Sequence, residues 1–155
     1  MDWKPGLIIR IKDYKFEDDN STRVKYSIVL FTNQQQAYLI HSLTTSRNNP
    51  GIAGLKYGCS VYNRLPYFYF PAGQIIGDNY FSFDKETFIF FSNNVRKEAF
   101  EKLEAASKKL FGLISLGVLT KDELKRVIKC ALKSKLLPKQ IELELSSFKE
   151  SLKSV

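Results

Sequence analysis

Lys25 heads a β-type run, Lys25-Tyr-Ser-Ile-Val-Leu-Phe31, and the next such run ends in a hydroxyl cluster, Leu43-Thr-Thr-Ser-Arg47. An amine set beside three alcohols can handle a phosphodiester. Cleaving RNA requires the 2′-hydroxyl to lose its proton, the leaving 5′-oxygen to gain one, and the charge on the equatorial phosphate oxygens to be stabilised. Lys25 can meet the third need, and the hydroxyls of Thr44, Thr45 and Ser46 can donate to the same oxygens or relay a proton. Arg23 and Arg47 stand close by in sequence to hold neighbouring phosphates. Lys25 and the Thr44, Thr45 and Ser46 hydroxyls are therefore candidate site residues, with Arg23 and Arg47 as candidate substrate-binding residues beside them. The two runs must pair as an antiparallel hairpin for this to work, because only then does the start of one lie beside the end of the other. Each piece also has an ordinary reading. A lysine opening a strand is often a solvated edge residue, Thr-Thr-Ser is a common turn or cap sequence, and His41 reads as a structural histidine before it reads as a base.

The neighbourhood carries one sign of charge. From Asn20 to Gly77 there is no Asp or Glu, while Arg23, Lys25, Arg47, Lys56, Arg64 and His41 all fall inside. All sixteen acids lie outside these 58 residues. Cations without acidic competitors mark an anion-binding surface, although strand-rich segments also exclude Asp and Glu. Tyr57, Tyr62, Tyr67 and Tyr69 flank the same region, and unpaired bases stack on such rings. Against that, Tyr67-Phe-Tyr-Phe70 reads as a strand with one face in the core.

The net charge of +8 over 155 residues favours an acidic partner. Residues 1–94 hold ten Lys/Arg against eight Asp/Glu, and residues 95–155 hold fourteen against eight. The surplus on the predicted helical tail is weaker evidence than the acid-free window, since lysines coat helix surfaces. Cys59 and Cys130, far apart and without paired spacing, look like reduced thiols of a cytoplasmic protein, and with a single histidine they argue against zinc. The start, Met1-Asp-Trp-Lys-Pro5, lacks a secretory pattern, and the apolar runs are too short to span a bilayer. No phosphate-loop, nucleophile-elbow or paired-histidine motif is present. The run Glu17-Asp18-Asp19 reads as an exposed loop before a metal site.

These residues need elements to position them. Gly6–Lys12, Val24–Thr32, Ala37–Leu43, Tyr67–Phe70 and Thr87–Phe91 read as strands, with Asn33-Gln-Gln-Gln36 as a hairpin loop. Thr45–Leu65, with Gly54, Gly58 and Asn63, reads as a long functional loop. Beyond Asn94 the spacing of Val95, Ala99, Leu103, Ala106, Leu110 and Ile114 predicts a helix, closed by Gly117. A second helix opens at Thr120 with Glu123 as its capping-box partner and buries Leu124, Val127, Ile128 and Ala131. A third, after Pro138, presents Ile141, Leu145, Phe148 and Leu152. The expected class is α+β: a small β-barrel or strongly bent sheet, residues 1–93, with C-terminal helices, residues 94–155, in one domain.

Several short stretches resemble the MazF/PemK-like toxins of bacterial toxin–antitoxin systems. Lys4-Pro-Gly-Leu-Ile-Ile-Arg-Ile11 is similar to that family's first strand, and Lys25-Tyr-Ser-Ile-Val-Leu30 to its Arg-Pro-Val-Leu-Val-Ile strand. Ile40-His-Ser-Leu-Thr-Thr-Ser46 is similar to the strand ending in Leu-Thr-Ser or Thr-Thr-Gln. Phe83–Lys97 and Gly117–Val127 resemble its later strand and closing helix. The resemblance implies an SH3-like barrel and a metal-independent endoribonuclease acting on single-stranded RNA, with no cofactor. Its implied partners are RNA, an antitoxin protein and a second copy of the chain. The family's catalytic Arg falls on Lys25 and its catalytic Thr on Thr44. Lysine lacks the planar fork that grips phosphate bidentately, although related toxins held by an RNA antitoxin use Lys at a similar position. The alternatives are a barrel of the same fold that binds nucleic acid or protein without cleaving, and a toxin of the gyrase-poisoning branch.

Overall fold

Among the described residues the chain forms eight strands, β1 (Leu7–Ile11), β2 (Lys25–Asn33), β3 (Tyr38–Thr44), β4 (Gly58–Tyr62), β5 (Leu65–Phe70), β6 (Thr87–Phe90), β7 (Val95–Ala99) and β8 (Leu113–Val118). Three helices accompany them, α1 (Phe100–Ser107), α2 (Lys121–Ala131) and α3 (Lys139–Lys153). The computed structural model describes residues 2–11, 25–33, 38–44, 51–92, 95–108 and 112–153, and the backbone alone of Lys25, of β3 and of Ala106. Arg23, Thr45, Ser46, Arg47, the run Glu17-Asp18-Asp19 and the loop at 34–37 lie outside the described residues.

The architecture is α+β. A five-stranded antiparallel sheet has the order β7-β3-β2-β1-β8, and a three-stranded one has the order β4-β5-β6. Within the large sheet, β1 and β2 carry buried apolar residues on both faces. Ile8, Ile28 and Leu30 enter the main core with Phe68, Phe70, Ile89 and Phe91 of the small sheet and its margin. Ile9, Ile11 and Val29 pack on the other side against Leu103 of α1 and Leu113. β5 and β6 of the small sheet are covered on both faces too, since Tyr67, Tyr69 and Phe88 sit under Ile52 and Leu55. This explains why every residue of Pro66–Phe70 is buried rather than every second one.

α2 closes the main core with Leu124, Val127, Ile128 and Ala131. Each of the larger three contributes about 1.5–3 kcal/mol on burial. Thr120 caps the helix as its sequence predicts, its side chain accepting from the Glu123 N–H at 3.2 Å. α3 follows the expected stripe, with Ile141 and Leu145 buried and Phe148 and Leu152 packed at the margin.

Three expectations are corrected. The interval after Asn94 is not one long helix but β7, α1 and β8. Steps of four residues are even numbers, so Val95 and Ala99 share a face of a strand as readily as of a helix. The long loop contains β4, an edge strand whose Cys59, Ser60, Val61 and Tyr62 are all exposed; with neither face in the core it carries no period-2 signature. Its turn to β5 uses Asn63 and Arg64, both in the left-handed region at φ 51° and 65°. The cysteines, finally, are not reduced thiols. β4 lies against α2, and Cys59 is disulfide-bonded to Cys130 with Cα atoms 5.6 Å apart. Such crosslinks persist in oxidising surroundings, so cysteine usage is no argument here for a reducing compartment.

Candidate functional site

β2 and β3 pair as the antiparallel hairpin the candidate site requires, with Ser27 opposite Leu43 and Tyr26 opposite Thr44. The first residue of β2, Lys25, therefore lies at the same end of the hairpin as the last residue of β3, Thr44. On its other side Lys25 pairs with Ile11 of β1. The register also sets parity. Successive positions of a strand belong to opposite faces, so Lys25 occupies a position of the Ser27 and Val29 face, while Thr44 shares the face of Tyr26 and Ile28. The sheet brings the two candidates to one end and assigns them to its two sides.

The Tyr26 face continues into a second segment. The Tyr26 ring meets Phe83 edge-on, centroids 5.8 Å apart. Phe83 is itself wedged against Phe70 at 5.5 Å and Phe81 at 5.3 Å. The Phe83 carbonyl accepts from the Gly73 N–H at 2.8 Å, and the Thr87 hydroxyl donates to the Lys85 carbonyl at 3.0 Å. Phe83 and Thr87 are buried, at 4% and 0% exposure. Asp84 and Lys85 are thus exposed residues held between two fixed anchors. Tyr26, Phe83, Asp84, Lys85 and Thr87 line a shallow cleft of about 100 Å³ beside the Thr44 position. Sequence reading missed Lys85 and Asp84 as site residues. They lie beyond the acid-free window, and only the packing of Phe83 on Tyr26 brings them to the hairpin's end.

The loop feeding this cleft is seated on β8. Gly77 bridges Leu119, the Ile76 carbonyl accepts from the Thr120 N–H at 3.1 Å, and the Ile76 N–H donates to the Phe81 carbonyl at 2.9 Å. Gly77 permits the approach, since a Cβ there would stand 2.6 Å from the Val118 carbonyl oxygen.

A second polar cluster joins β4 to α2. The Tyr57 hydroxyl donates to Glu123 Oε1, Arg126 Nη1 donates to Glu123 Oε2 at 3.3 Å, and the Arg126 guanidinium lies 4.6 Å above the Tyr57 ring. Burial first, and then the hydrogen bond and charge of Glu123, push the Tyr57 hydroxyl well above its ordinary range, with Arg126 pulling the other way. Gly58, at φ +114°, leaves room for this arginine; a Cβ there would stand 2.6 Å from Nη2. Glu123 spends its carboxylate on Tyr57 and Arg126, so these groups satisfy one another and the cluster ties the sheet to the helix. The other tyrosines divide. Tyr67 and Tyr69 are buried at 3% and 7% exposure and offer no stacking platform, whereas Tyr62 is exposed at 41%. Tyr69 donates to Glu86 at 2.7 Å, and burial together with that carboxylate pushes its pKa up to about 12.

Among the described residues no helix is long and apolar enough to cross a membrane. No family model and no curated protein matches this chain.

Proposed function

We propose that the protein is an endoribonuclease that cleaves single-stranded RNA without a metal, at the open end of the β2–β3 hairpin. Lys25 stabilises the charge that develops on the phosphate oxygens, and Thr44 positions or relays a proton. Arg23, Thr45, Ser46 and Arg47 hold the flanking phosphates. The observation that carries this reading is the hairpin register, which puts the start of β2 beside the end of β3 inside a stretch of sequence without a carboxylate. The approach of β3 to β6 supports reading the two sheets as the halves of a small SH3-like barrel. An antitoxin protein and a second copy of the chain belong to the same reading as partners.

A second reading has its own support. Lys25 and Thr44 hold positions of opposite parity, which favours a surface that binds RNA without cutting it. Incubation of a long RNA with the native protein, Lys25→Ala and Thr44→Ala separates the two. Fragments with the native chain and none with either variant are expected; intact RNA in every lane ends the enzymatic reading and leaves binding. Growth arrest on expression that persists in both variants selects the protein-targeting, gyrase-poison type of action.

A further inference from the structure

We propose that the cleft between Tyr26 and the Asp84–Lys85 corner is a base-reading subsite selective for guanine. The inference rests on the RNA reading above and names what that surface selects. The cleft is not built for phosphate, because the Asp84 carboxylate on its rim repels one. A carboxylate beside an ammonium suits instead a base edge with donors and an acceptor side by side. The guanine Watson–Crick edge supplies them, since N1–H and N2–H₂ donate to the two oxygens of Asp84 while O6 accepts from Lys85. Uracil places one donor between two acceptors, and cytosine and adenine each offer a single amino group next to an acceptor that a carboxylate disfavours. In single-stranded RNA this edge is free to be read.

The volume of about 100 Å³ is small beside pockets that take whole ligands and admits the edge of one base. The walls suit an aromatic guest, with the half-buried Tyr26 and buried Phe83 set edge-to-face. Preorganisation comes from the two anchors. Buried Phe83 and Thr87 fix the backbone on either side of the reading pair, and the Thr87 hydroxyl holds the Lys85 carbonyl. Among the described residues neither Asp84 nor Lys85 is drawn into an ion pair, so both retain their hydrogen-bonding capacity. The cleft opens beside the Thr44 position, which places the selected base next to the scissile phosphate in the cleaving reading.

The test uses the full chain and four labelled 2′-O-methyl oligouridylates that differ at one central position, guanine, adenine, cytosine or uracil. Lacking a 2′-hydroxyl, they report binding apart from cleavage. The guanine oligonucleotide is expected to bind about tenfold more tightly than the uracil one, within the span of one bidentate carboxylate contact. Asp84→Asn and Asp84→Ala, both at an exposed position, reduce that ratio below about threefold while keeping the melting temperature. Lys85→Ala weakens the guanine oligonucleotide more than the others. Equal affinity for all four oligonucleotides, or a guanine preference unchanged in both Asp84 variants, overturns the subsite and leaves RNA binding intact. Failure of the folded protein to bind any of them overturns the RNA reading and the subsite with it. Guanine preference in a protein that cuts no RNA supports the subsite within the non-cleaving reading.

Discussion

Thr44 stands opposite Tyr26 on the β2–β3 ladder, one position on from Lys25. Directly paired residues of an antiparallel sheet share a face and interact, while neighbours along the strand do not. The register therefore groups Thr44 with Tyr26 and the cleft beyond it, and separates both from Lys25.

A double-mutant cycle on RNA affinity reads this grouping. Tyr26→Ala and Thr44→Ala are expected to couple by about 0.5–3 kcal/mol. Lys25→Ala and Thr44→Ala couple as strongly in the cleaving reading, where both act on one phosphate, and add to within roughly 0.5 kcal/mol in the non-cleaving one. Lys25→Ala alone should lower the slope of log affinity against log salt by about 0.7, the value for one phosphate contact to a single strand. Strong coupling between Lys25 and Thr44 would show that they act on one atom despite their register.

Alkaline titration has a defined sign. Tyr57 and Tyr69 are held neutral in the folded state above the ordinary tyrosine range, by burial and by the carboxylates of Glu123 and Glu86. A group whose pKa is raised on folding contributes stability that is complete below its unfolded pKa and is lost as pH rises towards the folded value. The protein should lose stability from about pH 10 upward. Ultraviolet phenolate absorbance should show Tyr57 and Tyr69 ionising only as the fold is lost. Tyr69→Phe should remove part of that late phase; ionisation of Tyr57 and Tyr69 while the fold is intact would contradict the burial argument.

Reduction of Cys59–Cys130 releases a constraint across 71 residues of sequence. Loop-closure entropy for that span corresponds to about 4 kcal/mol. A reductant is expected to lower the melting temperature by roughly 10 °C for a chain of this size. The Cys59→Ser/Cys130→Ser double variant should melt at the reduced temperature with or without reductant. An unchanged melting temperature on complete reduction would show that β4 is held to α2 by Glu123, Tyr57 and Arg126 alone.

Gly77→Ala tests the seating of the loop on β8. The added methyl would meet a backbone oxygen at 2.6 Å, which no side-chain rotation relieves. Overpacking of this kind costs typically about 1–3 kcal/mol. In a denaturant titration the variant should unfold at lower concentration, with an unchanged slope. A stability equal to the native protein's would mean that the Gly77–Leu119 bridge is dispensable.

Much of the fold is legible in local chemistry. Thr120 and Glu123 announce the start of α2, and the stripe from Leu124 to Ala131 announces the face it buries. β-branched and aromatic residues from Tyr26 to Thr32, and from Tyr67 to Phe70, announce strands. The reading fails where one pattern serves two periods, as with the four-residue steps of Val95 and Ala99, and where an edge strand such as β4 buries neither face.

By itself the sequence determined that the two β-type runs would form, and that Lys25 and Thr44 would come to one end of their hairpin. These are consequences of backbone preference and of pairing between neighbours in the chain. Tertiary structure alone decided that Thr44 faces with Tyr26 and not with Lys25, because a shift of one residue in register exchanges the faces of a strand. It alone set Asp84 and Lys85 beside Tyr26, through the packing of Phe83, and joined Cys59 to Cys130. Contacts between residues distant along the chain depend on how whole layers stack, and no local pattern of residues encodes that.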